Sequence, residues 1–548
     1  MVKRGLTRAY LWEERVPLLI ILGFFFLSCF LVAPLRNVPI IDDWTYAWSV
    51  EHLLKTGRLA VLDWSAHYPI FQVLWSSPWA LLFGFSFGVL RLSTVAVAAL
   101  GCIAFYLTLR ELDLSREYSL LGALLLATNP VFFPLSFSFM TDIPFLSMVN
   151  FAVLCYVAGV KREQPAWLWV GGIFAVAAFL SRQIGLFIPM ALLPCVLSRK
   201  EGWRKWLKQV LPIAASFLVI VLLWLLIRKS LGQTSVMESK FIGLRYFFRV
   251  KPLDYLDFNF NMLLQIAFAI FPLLVAGVSF KPKWWPVALA VLVVVIAVVI
   301  RLYVGNIPSP LHDGGTWSFD ELASGRGLIQ GKLAVQGPAH RFGWPARILM
   351  LISLAVLFGS AGRWLFETRG RTSRAVKVMI ASGLLQLIPI NILWLYYDRY
   401  YVVLMPWLIY LGLKLTLRTG FSRVVAWSSV AVLAFVSISG TWDVLRFNGA
   451  CLEAVDYLHS TGVPIAEIDA GYPLTGWLQY AHPENLPPGS DPAVDAPWVT
   501  SAKELPYVIS NTPLPEHDII KEISWRGSIW AVTNRVYILH KQGHSPGR

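Results

Sequence analysis

Apolar runs of roughly 18 to 22 residues recur along the chain, each long enough to cross a bilayer as a helix. The first runs from about Val16 to Leu35. Later ones fall at 92–109, 118–135, 143–160, 166–181, 184–198, 207–227, 262–280, 284–303, 344–362, 375–394, 401–417 and 424–440. Together they predict a polytopic α-helical membrane protein of about 13 transmembrane helices. The run Ile70–Leu90 is apolar enough to span as well, and its treatment sets the sidedness of everything after it. Left out of the count, it lies as interfacial or re-entrant helices on the outer side. Arg110, Arg116, Lys161, Arg162, Arg199, Lys200, Lys281 and Lys283 then share the side of the N-terminus. Counted, all of them turn outward, against the tendency of Lys and Arg to collect in cytoplasmic loops. The expectation is therefore a cytoplasmic N-terminus, an extracytoplasmic C-terminal part and a place in the plasma (inner) membrane. The basic stretch Arg228–Lys251 then falls outside, a cost that its length softens.

Polar stretches interrupt this pattern, and two external loops are long, about 228–261 and 304–343. Residues 36–90 form a first external loop with membrane-lying helices, and 304–343 form a long external loop rich in Gly and Pro. Loops of that length are either binding elements or connectors. From about Thr441 Asp, Glu, Pro and His become common and no spanning run remains. Glu453–Ser460 reads as a helix, and Pro464–Asp469, Tyr507–Ser510 and Arg535–His540 read as short strands. The expected organisation is a transmembrane domain over 1–440 and a small soluble extracytoplasmic α/β domain over 441–548.

Composition agrees. Of 548 residues 57% are hydrophobic and only 14% charged, more apolar surface than a soluble globular chain needs. The net charge of +15 is explained by cytoplasmic Lys and Arg, so nucleic acid is not an expected partner. The five cysteines show no zinc or disulfide spacing. Lys3, Arg4, Arg8 and Arg15 precede a run too long for a signal peptide and without a small-x-small cleavage site, which reads as an uncleaved first helix.

Against this background a few polar positions stand out. Asp42 and Asp43, in Ile40-Ile41-Asp42-Asp43-Trp44-Thr45-Tyr46, stand where the first span meets water. Adjacent acids repel and lose hydration near lipid, so the doublet is expected to titrate outside the ordinary carboxylate range. The plainer reading is a hydrated loop start. Asp142, in Thr141-Asp142-Ile143-Pro144, either lines a site or caps the next helix. Arg182, between two short apolar runs on the outer side, runs against the charge rule and points to a bound anion. Asp398 and Arg399, in Tyr396-Tyr397-Asp398-Arg399-Tyr400-Tyr401, either pair with each other or anchor the interface. His67, in His67-Tyr68-Pro69, is by itself more readily structural than functional.

In this order the motifs resemble the integral-membrane glycosyltransferases that use polyprenyl-phosphate sugars, the GT-C superfamily. Its members include the protein O-mannosyltransferases and the bacterial aminoarabinose transferases of lipid A. The family pattern is an acidic pair after the first span, a His-x-Pro stretch, an external Asp-x-Pro-like turn, a basic residue before Gly, and an Arg-Tyr-x-x-x-Pro-like motif. Here these are Asp42-Asp43, His67-Tyr68-Pro69, Asp142-Ile143-Pro144, Arg182 to Gly185, and Arg399-Tyr400 with Pro406. The match covers about residues 10–200, with a weaker echo at 396–406. Asp43 stands where Glu is commoner, and Tyr68 where a second Pro is common, departures that bear on the acceptor and on any metal.

The resemblance implies a GT-C-like fold and sugar transfer from a polyprenyl-phosphate donor to an acceptor hydroxyl of a protein, lipid or glycan, with membrane lipids as the surroundings. Asp42 would be the general base, and Asp43 would orient the acceptor or hold Asp42 in place. Arg182 and Arg399 would bind the donor phosphate, with Tyr46, His67, Asp142 and Tyr400 completing the substrate site. One base with direct displacement implies inversion, by analogy with hydrolases. Metal dependence stays open, since two close carboxylates with His67 nearby could host a divalent cation. Two other readings compete. A lipid or glycan transporter or flippase predicts charges at mid-span and an internal repeat. A surface-polysaccharide polymerase or ligase would use the loop 304–343 as its active element.

Overall fold

In the computed structural model the described residues are 12–197, 203–235, 270–276, 372–392, 398–417, 422–490, 505–527 and 533–543, with a few single positions between them. The span expected at 284–303, most of those at 262–280 and 344–362, and the loop 304–343 lie outside the described residues. The chain is mostly helical. Helix α1 (Arg15–Val32) is apolar after Arg15 except for Ser28, whose hydroxyl donates to the Phe24 carbonyl at 2.7 Å. It is followed by the short helices α2 (Asp43–Thr56) and α3 (Ile70–Phe83). Helix α4 (Phe87–Glu111) starts where the Ser86 side chain accepts from the Val89 amide. Then come α5 (Arg116–Ala127), α6 (Asp142–Arg162), α7 (Pro165–Ser181) and α8 (Trp203–Leu231). Beyond them lie α9 (Arg374–Ile392), α10 (Met405–Thr416) and α11 (Arg423–Ser460).

Among the described residues six helices are long and apolar enough to cross a membrane: α1, α4, α6, α9, α11 and the Leu207–Leu231 part of α8. Their burial ranks them. The apolar stretch of α6 is 89% buried, which makes it the central helix, whereas those of α1 and α8 are each only 28% buried. Exposed Phe26, Phe30, Leu218 and Leu225 on α1 and α8 suit contact with lipid tails. Helix α3 has 14 residues, which at about 1.5 Å per residue is too short for a hydrocarbon core of about 30 Å.

Three expected spans depart from regular helix. The run 118–135 breaks after Ala127, because Pro130 cannot continue the helical ladder. Asn129 restarts it by accepting the amides of Val131 at 2.9 Å and Phe132 at 3.1 Å. The run 184–198 is a 3₁₀ helix over Gln183–Leu192, with Pro189 inside it, then one α-turn. A 3₁₀ helix rises about 2.0 Å per residue, so this short segment still covers most of a bilayer core. The run 401–417 is a 3₁₀ turn, Asp398–Leu404, leading into α10.

Polar contacts sort the helix ends into two poles. At one, buried Glu14 accepts from Tyr106 and from Arg110, at 3.0 Å, and Arg116, at 3.3 Å. Glu111 pairs there with Arg162, Asp113 with Lys161 at 2.7 Å, and Glu117 with Arg423 at 3.2 Å. At the other pole Thr234 donates to the Ser65 carbonyl at 2.8 Å, and the Ser235 amide to Asp63 at 2.9 Å. The residues singled out above gather at this second pole. The sorting is the one obtained when Ile70–Leu90 does not span.

The composition change at Thr441 falls inside α11, which runs unbroken for 38 residues. Its C-terminal half packs on a four-stranded sheet of order β1-β2-β4-β3, where β1 is Ile468–Asp469, β2 Tyr507–Ser510, β3 His517–Arg526 and β4 Thr533–Lys541. Strand β1 runs parallel to β2, and the other pairings are antiparallel, with Ile509 opposite Ile538. Phe447, Cys451, Leu458, Ile468, Ile509 and Ile538 share one core with Val38, from the segment just before the acidic doublet. That packing ties the sheet to the second pole.

Candidate active site

The segment between α1 and α2 is a strap held from below. Arg91 of α4, fully buried, donates to the carbonyls of Pro34 at 3.3 Å, Arg36 at 2.7 Å and Val38. Ile41 has φ +54, a conformation that a β-branched residue adopts only under constraint. Asp43 supplies that constraint by accepting the Ile40 amide at 2.7 Å, with Arg91 Nη2 at 3.9 Å from its other oxygen. Burial pushes the Asp43 carboxyl up to about 7, against the pull of Arg91 and the amides of Ile40 and Phe139. The doublet therefore does titrate abnormally, at its buried member.

Asp42, one residue earlier, faces the other way. Its side chain keeps 23% exposure. Its Oδ2 accepts from Arg399 Nη2 at 2.8 Å and its Oδ1 from the Tyr472 hydroxyl. Trp64 Nε1 donates to that same tyrosine oxygen at 3.0 Å. Burial first, then the charge of Asp42, holds the Tyr472 phenol well above its usual range, so it keeps its proton and donates. Tyr46, buried on α2, is pushed up by burial and by Asp42 in the same way. Arg399 is paired here with Asp42. Burial alone would weaken its hold on its proton, but Asp42, Tyr400 and Asp142 keep its guanidinium well above the usual range.

A second ion pair stands beside the first. Arg182, at the end of α7, donates to Asp142 at the start of α6, and its Nη2 lies 3.1 Å from His67 Nε2. The Tyr400 ring lies between the two cations, 4.9 Å from the Arg182 guanidinium carbon and 5.6 Å from that of Arg399. Gly185 permits the turn after Arg182, since a Cβ there would strike the backbone of Phe179. These groups line a cleft of about 520 Å³, open mouth included, whose other walls are apolar: Phe145, Ile184, Pro389, Ile390, Val402 and Val403. Asp142 Oδ2 is buried there with no hydrogen-bond partner among the described residues.

Asp42, Tyr46, His67, Asp142, Arg182, Arg399 and Tyr400 thus come together, from segments as much as 357 residues apart. Asp43 sits beneath them. The sequence reading missed Arg91, Trp64 and Tyr472. Arg91 carried a signal, a cation inside an apolar run; Tyr472, 430 residues from Asp42, carried none. Among the described residues no three His, Cys, Asp or Glu side chains gather as a metal site. Asp42 and Asp142 each already face a guanidinium, which repels a cation. The described residues therefore do not form a cation cage. What the arrangement offers is a carboxylate and two guanidinium groups at the edge of an apolar cleft, a setting for an anion with a long apolar tail.

Residues 75–226 match the family model of the dolichyl-phosphate-mannose-protein mannosyltransferases. The matched stretch contains Arg91, Asp142 and Arg182, and leaves out Asp42, Asp43, His67 and Arg399. Among solved structures the chain is similar to ArnT from Cupriavidus metallidurans bound to undecaprenyl phosphate, at 15% identity and TM-score 0.41, covering 98% of this chain and 100% of that one. It is also similar to the archaeal oligosaccharyltransferase AglB from Archaeoglobus fulgidus, at 15% identity and TM-score 0.41, over 80% of this chain and 58% of that one. The S. cerevisiae protein O-mannosyltransferase Pmt1-Pmt2 complex matches at 16% identity and TM-score 0.32, over 40% of this chain and 33% of that one. The chain therefore spans little more than half of the archaeal protein and a third of the yeast one. No curated protein sequence matches the chain.

Proposed function

We propose that this protein transfers a sugar from a polyprenyl-phosphate donor to an acceptor hydroxyl of a protein, lipid or glycan on the extracytoplasmic side, with inversion at the anomeric carbon. The observation that carries the reading is one apolar-walled cleft lined by the Arg182–Asp142 pair and by Arg399, whose guanidinium pairs behind it with Asp42. The polyprenyl tail lies along the apolar wall and the phosphate lies between Arg182 and Arg399. The acceptor oxygen loses its proton to Asp42 and attacks the anomeric carbon from the face opposite the phosphate. The bond from that carbon to the phosphate oxygen breaks, and its electron pair leaves with the phosphate. Two guanidinium groups at that oxygen favour the charge as it grows.

In this structure both guanidinium groups of the cleft are already paired with carboxylates. A sugar phosphate therefore enters by displacing contacts now made inside the protein. The phosphate draws Arg182 from Asp142 and Arg399 from Asp42, which exposes a carboxylate oxygen for the acceptor proton. Asp142 is then free to meet a sugar hydroxyl. Tyr472, Tyr46 and Asp43 act as positioning residues, the first on Asp42 and the last through the strap. His67 steadies Arg182.

The test is to offer purified protein in lipid nanodiscs a panel of polyprenyl-phosphate sugars with candidate acceptors. The expected result is release of polyprenyl phosphate matched by glycosylated product of inverted configuration. Movement of a lipid-linked sugar across the bilayer with the glycosidic bond intact would establish the transporter reading instead.

A further inference from the structure

The second pole holds another basic pocket, which the transfer scheme leaves unused. It has about 670 Å³ of empty space, open mouth included, and lies between the end of α1, the middle of α11 and strand β3. Arg36, Trp442, Arg446, Glu453, Trp525 and Arg526 line it. Two of its arginines are held in place. The Arg36 carbonyl is fixed by Arg91, and its guanidinium lies across Gly449, where any Cβ would collide with it. The Arg446 guanidinium stacks on Trp442, 4.1 Å from the ring centroid. The two positive charges act on each other across the pocket.

Here the pocket differs from the rest of this pole. Arg91, Arg182 and Arg399 each face a carboxylate. Among the described residues no carboxylate pairs with Arg36 or Arg446. Exposed Glu453 also lines the pocket, but the three arginines Arg36, Arg446 and Arg526 leave its lining net positive. Like charges fixed side by side around a space are relieved by a bound oxyanion. Depth gives the anion a chemistry. Arg36 directly follows the first apolar run, which ends at Leu35, and Trp442 lies two residues beyond the last, 424–440. Those are the levels at which spans leave the hydrocarbon and meet phosphate groups, with Trp as the usual interfacial residue.

We propose that this pocket binds a phosphate-type oxyanion between Arg36 and Arg446, supplied either by a lipid headgroup or by free phosphate. The proposal does not depend on the transfer reaction. It is tested on the full chain in two arms. In the first, inorganic phosphate is titrated into delipidated protein and the thermal midpoint is followed. In the second, protein from nanodiscs of phosphatidylcholine with or without phosphatidic acid is examined by native mass spectrometry for retained lipid. The wild type is compared with the double variant Arg36→Gln/Arg446→Gln and with Ser524→Trp, which fills the pocket from exposed β3 while leaving both charges in place. Binding by the wild type in either arm, weakened about tenfold or more in both variants, supports the proposal. A phosphate response without lipid retention names the free anion as the source, and retention of phosphatidic acid alone names the headgroup. No binding in either arm, or binding that Ser524→Trp leaves unchanged, overturns it.

Discussion

Asp42 and Asp43 are chemically alike but occupy opposite sides of the start of one helix. Asp43 turns inward and accepts the amide that precedes the strained Ile41; Asp42 turns the other way, to Tyr472 and to Arg399, which lines the cleft. The difference is testable through protons. Asp43 titrates near 7 when folded, against about 3.9 in an unfolded chain. The folded state therefore binds a proton that the unfolded state lacks between those values, and stability falls as pH rises from about 4 to 7. Asp43→Asn is expected to flatten that part of the pH dependence of the thermal midpoint; an unchanged slope would show that another group sets it. At Tyr472 the expectation concerns rate. Tyr472→Phe removes a hydrogen bond to a charged oxygen, of about 1.5–3 kcal/mol, and should slow transfer about tenfold or more with donor binding little changed. Full activity in Tyr472→Phe would remove that residue from the positioning of Asp42.

Elements explain which parts of the fold were legible. A membrane-crossing helix must be predominantly apolar over about 20 residues, so the first span, α4, α6 and α8 are written openly in the chain. The breaks after Ala127 and around Pro189 follow from prolines that a count of apolar residues ignores. Strand β3 was missed because most of its residues are exposed, so His517 to Glu522 show no alternation to read. The end of α11 was read as a separate helix because composition changes at Thr441 while backbone hydrogen bonding does not.

One joint between elements is pH-sensitive. His482, just after the turn Gly476–Tyr480, faces Glu51 of α2 at 3.4 Å and Glu484 at 2.9 Å, edge-on to Trp477. The Glu51 carboxylate, opposed by burial and helped by Glu484, raises the His482 pKa. A raised folded pKa gives a stabilising contribution that is full below about 6.5 and is lost as pH rises through the folded value. His482→Gln should therefore lower the thermal midpoint at pH 6, by a few degrees, and leave it unchanged at pH 9. A deficit that is the same at both pH values would mean that packing on Trp477 matters and the charge does not.

At the scale of the molecule the two poles carry the account. The pole of Glu14, Arg110, Arg116 and Arg162 is rich in cations, and the opposite pole holds the cleft and the sheet. If the basic pole is cytoplasmic, a thiol placed at exposed Arg58 reacts with an impermeant maleimide on intact cells, and one at Gln164 reacts only after permeabilisation. The native cysteines are buried or half-buried, which keeps the background low. The reverse pattern would invert the orientation. Much of the cleft was legible because Asp42, His67, Asp142, Arg182 and Arg399 are polar groups at the ends of apolar runs, where desolvation makes an idle charge costly. Tyr472 was not, because it comes from the far end of the chain and reaches Asp42 only by folding, packed edge-on to Trp44 and bonded by Trp64.

In the proposed mechanism Asp42 takes the acceptor proton while the arginines hold the donor. The most direct measurement is single-turnover transfer by Asp42→Asn beside wild type, with donor binding measured on the same samples. Donor binding is expected within a few-fold of wild type, and transfer lowered by about 10²-fold or more. Transfer at the wild-type rate by folded Asp42→Asn would contradict that mechanism.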